Sequence, residues 1–198
     1  MVLQRDQAIR VWGTARAGES VRVSLDGKQA NATAAADGRW MLQLPAHAAG
    51  GPYVLEVRGH DGTQRIQDVL IGDVWLASGQ SNMEWPLAQT AHAQAEIAAA
   101  TDPAIRHFKV PKSWAGQPQA QLVGGHWVPA SPQAAGEFSA VAHLFARELH
   151  ARTGVPIGII DSTWGGSRIE PWMDAASLHL DAAALAHKMD QVRADDER

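Results

Sequence analysis

The pattern of the sequence changes at Gly72, and this change limits the fold more than any other feature. Before it, residues 7–70 show short apolar–polar alternations separated by turn pairs such as Asp26-Gly27, which is typical of a small antiparallel sandwich. After it, the order is strand, loop, helix, strand, which favours an α/β layer structure with a largely parallel sheet. The sequence therefore predicts a β-sandwich-like domain over 1–71 and an α/β domain over 72–198.

Local patterns place the elements of both domains. Val21, Val23 and Leu25 alternate with polar residues, so we expect them to share the buried face of one strand. A further strand is predicted at 64–70. In the α/β domain we predict strands at 73–78, 105–110 and 157–160, helices at 88–100, 139–153 and 175–198, and a surface loop at 117–135.

The helix predicted at 139–153 has a clear apolar face. Its apolar residues recur at helical spacing, and Gly154 is expected to end it. The residues of this face, at i, i+3, i+4 and i+8 spacing, are Val141, Leu144, Phe145 and Leu149.

Composition excludes several classes of function. The chain has 198 residues, no Cys and a net charge of −4, so disulfides, thiolate nucleophiles and Cys-ligated metal sites are excluded. We expect no cofactor and no metal ion, since His-Glu-x-x-His is also absent, and no nucleic-acid partner, since there is no dense basic cluster. No apolar stretch reaches about 18 residues, so no membrane partner is expected. Eight Trp against one Tyr and three Phe hint at stacking on sugar rings.

The first segment that carries chemistry follows the strand at 73–78 and reads Ser-Gly-Gln-Ser-Asn-Met-Glu-Trp. Because the crevice of an α/β protein forms at the carboxyl ends of its strands, Ser81 stands where a nucleophile is expected. Gly79 permits a sharp turn, and Gln80 and Asn82 can fix the loop or donate to an oxyanion. Taken alone, the segment also fits an ordinary turn with Ser81 as a helix N-cap.

The second such segment follows the strand at 157–160 and includes Trp-Gly-Gly-Ser-Arg-Ile-Glu-Pro-Trp over 164–172. Gly165 and Gly166 would let backbone amides approach a tetrahedral oxyanion without a Cβ in the way. We expect both loops to open onto the same crevice. Three tryptophans are candidates to line it and to contact the substrate, namely Trp85, Trp164 and Trp172.

Together these segments resemble the sialate O-acetylesterase family of the SGNH hydrolases, esterases that act on acetylated carbohydrates. Met83 stands where the Gly-x-Ser-x-Gly elbow of α/β-hydrolases has its last Gly, which favours the SGNH arrangement. The resemblance implies that 72–198 is the first part of a flavodoxin-like three-layer α/β/α domain. The matching segments are Gly-Gln-Ser-Asn-Met at 79–83 within 73–87, and 154–172, with support from 1–5, 11–15 and 49–53.

The resemblance also implies a mechanism. Ser81 would attack an acetyl carbonyl and form an acyl-enzyme, which water would then hydrolyse. The oxyanion hole would comprise the amide of Ser81 and that of Gly165 or Gly166, and the choice between the two glycines is open. The polar neighbours Gln80 and Asn82 are expected to contact the substrate.

One departure from the family pattern concerns the general base. The family carries a late Asp-x-x-His that supplies the catalytic acid and base, and none of the nine His here follows an Asp by three residues. We therefore expect a truncated sequence whose catalytic His and Asp come from a missing C-terminal portion or from a second chain. The chain alone is expected to be nearly inactive and marginally stable. The alternative is a non-catalytic carbohydrate-binding β-domain with an inert α/β remnant.

The remaining titratable residues have simpler interpretations. His126, beside Trp127, is a candidate substrate contact, and Glu84 and Glu170 are expected to fix loops rather than form a glycosidase pair. The resemblance implies a secreted or periplasmic location, although residues 1–6 are charged too early for a signal peptide. The other histidines considered, His92, His107, His143 and His150, are expected to be structural or solvated.

Overall fold

One long strand runs through both predicted domains. The computed structural model describes residues 1–115 and 117–196, and this strand is β7, Gly62–Gly79. The other strands are β1 Val2–Gln4, β2 Ile9–Thr14, β3 Ser20–Leu25, β4 Lys28–Thr33, β5 Arg39–Leu44, β6 Gly50–Gly59, β8 Ile105–Lys109, β9 Trp127–Pro129 and β10 Ile157–Thr163. The α-helices are α1 Ser81–Glu84, α2 Ala93–Ala99, α3 Ala140–Thr153 and α4 Ala182–Asp196, and 3-10 turns lie at Leu87–Gln89, Ala135–Glu137 and Glu170–Trp172.

The N-terminal part is built from two sheets. β3 pairs antiparallel with β4 and β6, and β6 pairs with the first half of β7. β2 and β5 form a separate antiparallel pair. The prediction that Val21, Val23 and Leu25 share a buried face is confirmed, since each is at most 2% exposed. They pack in one apolar cluster with Leu42 and Leu44 of β5, which joins the two sheets.

The C-terminal part continues the same sheet with parallel strands. β10 lies between β7 and β8 and is parallel to both, and its Ile157 and Ile159 are buried with Ile105 of β8. The mixed α/β class is therefore confirmed. Of β7, β8 and β10, the last along the chain lies in the middle, whereas a flavodoxin-like order would place the first one there. The three-layer SGNH arrangement stays a prediction.

Helix α3 has nearly the predicted bounds but a different buried face. It starts after Ser139, which caps it, and ends at Gly154 in a left-handed conformation with φ of 66°. Two residues of the apolar face, Val141 and Phe145, are 52% and 42% exposed, so the helix buries a different set of side chains. Small side chains let the helix lie closer to the sheet. The buried residues of α3 are Ala140, Ala142, His143 and Ala146.

Other elements also differ from expectation. The strands predicted at 64–70 and 73–78 are one strand, because β7 continues through Gly72, whose carbonyl accepts a 2.8 Å hydrogen bond from the Arg5 N–H. The loop predicted at 117–135 contains β9, which pairs with β8. The helix predicted at 88–100 begins only after His92, which has φ of 61°.

The helix predicted at 175–198 begins at Ala182, and residues 197–198 lie outside the described residues. The buried apolar residues form two clusters, one from Ile9 to Ile71 and one from Ala77 to Ile159. The domain boundary after residue 71 stays a prediction. In the described parts of the chain, no helix is both long and apolar enough to cross a membrane.

Candidate active site at the ends of β7 and β10

The two motif loops meet because β7 and β10 are neighbours that end together. Ser78 is in register with Ser162, and Gly79 with Thr163. The Trp164 N–H donates a 3.0 Å hydrogen bond to the Gly79 carbonyl, which extends the pairing by one residue. The expectation that both loops open at the same edge of the sheet is met by this register.

Ser81 begins the short helix α1 and is exposed at this edge. Its hydroxyl donates a 2.9 Å hydrogen bond to Gln80 Oε1, which also accepts a 3.1 Å bond from the Ser81 N–H. The Gly166 N–H donates to Ser81 Oγ over 3.3 Å. Gln80 thus caps the helix and holds the hydroxyl, while Gly166 approaches the same oxygen from the other loop.

The two glycine amides have different partners. The Gly165 N–H donates to Glu84 Oε2, whereas the Gly166 N–H faces Ser81. A Cβ on Gly165 would lie 2.5 Å from that carboxylate oxygen, so a side chain at this position would displace the Glu84 carboxylate. Gly166 has open space around it but a φ of 78°, which L residues rarely adopt.

A network of alternating charges surrounds Glu84. Its Oε1 lies 2.7 Å from Lys112 Nζ and 3.6 Å from Lys109 Nζ. Lys109 also lies 3.0 Å from Oδ1 of the buried Asp161. Burial alone would raise the pKa of Glu84, but the hydrogen bonds from Lys112 and Gly165 and the charge of Lys109 outweigh it and hold the pKa below its usual value. Glu84 is therefore an anion at neutral pH.

A cleft of about 860 Å³ opens beside these loops, a size suited to a small ligand. The cleft is lined by Ser81, Trp85 and Gly165, and by the charged side chains of Glu84 and Lys109. The other described residues that line it are Pro86, His107, Pro111, Gly125, His126, Val128, Ala134, Glu137, Phe138 and Asp161.

Of the predicted substrate contacts, Trp85 and His126 line this cleft, whereas Asn82, Trp164 and Trp172 are not among its lining residues. Asn82 is exposed on α1, and Trp85 is 49% exposed with its indole N–H bonded to the Gln89 carbonyl. Trp164 lies under the Lys112 ammonium, 5.8 Å from the ring centre. The Trp172 indole N–H donates to Ser167 Oγ over 2.9 Å, which ties the end of the loop to its start. Trp164 and Trp172 are thus engaged in holding the loop.

Two buried histidines lie at the cleft wall: His107 lines the cleft, and His143 packs beside it. His107 stacks on Phe138 with ring centres 4.0 Å apart, and His143 lies 5.6 Å from it. Neither ring nitrogen of His107 has a hydrogen-bond partner among the described residues. Burial, aided by the proximity of His143, lowers the pKa of His107 to about 3. Both residues are neutral core histidines at physiological pH, as their expected structural role requires.

Comparison with known proteins places this edge in context. Residues 71–194 match the family model for carbohydrate esterases described as sialic acid-specific acetylesterases. The chain belongs to this carbohydrate esterase family. The matched range contains both motif loops and the cleft, and the resemblance noted from the two motifs is thereby confirmed.

Named relatives of the family agree. Sialate O-acetylesterases of Rattus norvegicus and Homo sapiens are 35% and 34% identical to this chain over 90% of its length. The crystal structure of a novel carbohydrate acetylesterase from Xanthomonas citri matches with a TM-score of 0.88 and 61% identity over 89% of this chain. This chain spans only 36% and 38% of the two curated relatives and 41% of the solved chain.

Several residues of this candidate site were not singled out from the sequence. Lys109 ends β8 and Asp161 lies in β10, so the strand-end rule that indicated Ser81 could also have indicated them. Lys112 lies in an irregular segment and gave no such signal. Within residues 1–115 and 117–196, no cluster of three or more His, Asp or Glu could hold a metal ion.

Proposed function

We propose that this protein is a carbohydrate O-acetylesterase in which Ser81 attacks the acetyl carbonyl. The observation that carries the proposal is the 3.3 Å approach of the Gly166 N–H to Ser81 Oγ at the shared end of two parallel strands. An amide beside the nucleophile is what a developing oxyanion requires. The names of the relatives, sialate O-acetylesterase and carbohydrate acetylesterase, indicate the substrate class.

The reaction would follow the acyl-enzyme route. The Ser81 hydroxyl adds to the acetyl carbon while a base removes its proton, and the sugar oxygen leaves with a proton as the tetrahedral intermediate collapses. Water then attacks the acetyl–serine ester in the same way and releases acetate. The Gly166 N–H would stabilise the oxyanion in both steps. The cleft beside Ser81 would bind the sugar.

The general base is the part of the mechanism that the described residues do not supply. The Ser81 hydroxyl donates to Gln80 rather than to a histidine, and His107 is a poor base because its pKa is about 3. We propose that the catalytic His and Asp come from polypeptide outside this chain, since the family members that it matches are longer. The secreted or periplasmic location stays a prediction.

Replacement of the nucleophile tests this function. In the full natural protein, Ser81→Ala should lower kcat for 4-nitrophenyl acetate by at least about a thousandfold, because the acyl-enzyme route is lost. Acid quenching during turnover should trap an acetyl group on the Ser81 peptide of the unaltered enzyme, as seen by mass spectrometry. Ser20→Ala, an exposed serine on β3, is the matched control and should retain full activity.

The outcomes separate the two functions considered. Retention of more than about a tenth of the activity in Ser81→Ala would reject Ser81 as the nucleophile. If the unaltered full protein binds acetylated sugars but neither hydrolyses them nor forms an acetyl–serine, the non-catalytic binding alternative would replace the esterase.

A further inference from the structure

Glu84 connects the element that carries the nucleophile with the loop that carries the glycines. It is the last residue of α1, three residues after Ser81, and its side chain is 24% exposed. Its Oε2 accepts the Gly165 N–H, whereas its Oε1 lies 2.7 Å from Lys112 Nζ. One carboxylate thus joins α1, the loop after β10 and the segment after β8.

This arrangement distinguishes the two glycines. A Gly165 N–H that donates to a carboxylate has no second hydrogen to offer to a substrate oxygen. The next N–H along the chain, that of Gly166, donates to Ser81 Oγ over 3.3 Å. Since the two peptide groups are joined at one Cα, holding the first limits the directions in which the second can point.

The local packing leaves little freedom for another arrangement. A Cβ on Gly165 would lie 3.7 Å from Ser81 Cα as well as 2.5 Å from the Glu84 carboxylate. Trp164, immediately before, is held by its N–H bond to Gly79 and lies under the Lys112 ammonium. The loop is therefore fixed at Trp164 by Gly79 and at Gly165 by Glu84. Lys112 contacts both Glu84 and Trp164.

The charges favour the ionised form of Glu84. A hydrogen bond to a carboxylate is roughly twice as strong as one to a neutral acceptor. Lys112 and Lys109 compensate the cost of partly burying the anion, and Lys109 is itself held by Asp161 at 3.0 Å. Both lysines are thus engaged with carboxylates around the nucleophile.

We propose that Glu84 is a positioning residue for the oxyanion hole, which acts by holding Gly165 so that the Gly166 N–H faces the reacting oxygen. Lys112 and Lys109 keep Glu84 ionised and in place. This inference rests on the proposed function of Ser81. It assigns the oxyanion contact to Gly166 and a purely structural contact to Gly165.

Three variants of the full natural protein test the inference. Glu84→Ala removes the acceptor and should lower kcat for 4-nitrophenyl acetate by about 10- to 100-fold with KM nearly unchanged, somewhat less than the loss of a whole oxyanion donor. Glu84→Gln keeps an acceptor oxygen and should recover kcat to within about fivefold of the unaltered enzyme, as a weaker neutral hydrogen bond allows. Glu148→Ala, which removes an exposed carboxylate paired with Arg152 on α3, is the matched control.

A spectroscopic measurement tests the geometry without relying on turnover. In protein labelled with ¹⁵N-glycine, the Gly165 amide proton should shift as pH is lowered through the depressed pKa of Glu84. In Lys112→Met the same shift should move to higher pH, since the lysine that lowers the pKa is gone. In Glu84→Gln it should be absent.

The outcomes distinguish this inference from the proposed function. If Ser81→Ala is inactive but Glu84→Ala keeps kcat within twofold, Glu84 does not position the oxyanion hole and Ser81 remains the nucleophile. If Glu84→Ala fails to fold, a pH-dependent Gly165 shift that persists unchanged in Glu84→Gln would by itself overturn the inference, because Glu84 would not be its source. If Ser81→Ala stays active, Ser81 is not the nucleophile, and the proposed function is rejected together with the inference that rests on it.

Discussion

The buried His107 makes the stability of this protein depend on pH. Its ring is 3% exposed and has no hydrogen-bond partner in the described parts of the chain. Burial lowers its folded-state pKa from 6.5 to about 3, so between these values the unfolded chain binds a proton that the folded chain does not. Stability is therefore fully present above about pH 6.5 and is lost as pH falls towards 3.

We expect the free energy of unfolding to fall by up to about 1.4 kcal/mol per pH unit from His107 below pH 6.5. His143, whose pKa is also lowered, chiefly by burial, should add to the loss. Urea unfolding at several pH values between about 7 and 5 measures the slope. His107→Leu should flatten it, whereas exchange of the exposed His60 for Gln should not. An unchanged slope in His107→Leu would show that the buried ring is not its source.

At the residue scale, the sequence predicted the side chains that stand in motifs. Ser81 and the glycine pair were recognised because strand-end position and local chemistry coincide there. The partners of Glu84 are not predictable in this way, because Lys109 and Lys112 are brought to it only by the arrangement of β7, β10 and β8 in the sheet. The burial of His143 was missed because helical spacing favoured the larger Val141 and Phe145, whereas the sheet accepts the alanine face of α3.

At the scale of elements, Gly72 is where three strands come together. It lies within β7, is in register with the end of β1, and precedes the residue that pairs with the start of β10. A Cβ there would lie 1.9 Å from the Pro156 carbonyl oxygen, which belongs to the backbone and cannot move away freely. The position therefore requires glycine for close approach rather than for an unusual dihedral angle.

We expect Gly72→Ala to lower the free energy of unfolding by about 1–3 kcal/mol, the usual cost of overpacking, or more if β10 must shift. Gly136→Ala is the matched control, because its Cβ would meet only side chains at ordinary contact distances of 3.6 and 3.7 Å. Chemical denaturation of both variants measures the difference. Equal stability of the two would show that the β7–β10 contact relaxes at no cost.

The local turn and cap signals predicted elements better than they predicted their connections. The Asp26-Gly27 turn and the Gly154 cap lie where the sequence placed them, because neighbouring residues determine both. The sequence predicts that the strand ends before Gly72, because glycine weakens the interior of a strand. The structure uses it instead for contact with Pro156, a residue 84 positions away, and such long-range contacts leave no local pattern.

At the scale of the whole molecule, β7 belongs to both apolar clusters. Val69 and Ile71 lie in the N-terminal cluster and Ala77 in the C-terminal one. A second connection is Arg106 of β8, whose buried guanidinium donates to the Asp68 carboxylate over 2.7 Å and to the Asp68 carbonyl over 2.5 Å. A shared strand and an ion pair whose arginine is buried predict that the two clusters unfold as one cooperative unit.

Native-state hydrogen exchange tests this coupling. The amides of Val23 in β3 and Ile159 in β10 should exchange with the same free energy of opening, because neither cluster opens alone. Arg106→Met should lower the free energy of opening at Ile159 by about 1–3 kcal/mol, since it removes the charged donor that both the Asp68 carbonyl and the Asp68 carboxylate accept from, and should lower the value for Val23 less.

Arg16→Met is the control for this experiment, because it removes an exposed ion pair with Asp61. The free energies of opening at Val23 and Ile159 should stay within about 0.5 kcal/mol of those in the unaltered protein. A lower value for Ile159 than for Val23 already in the unaltered protein would contradict the coupling. The loops that bring Ser81 and Gly166 together would then rest on a part of the sheet that opens independently of the sandwich.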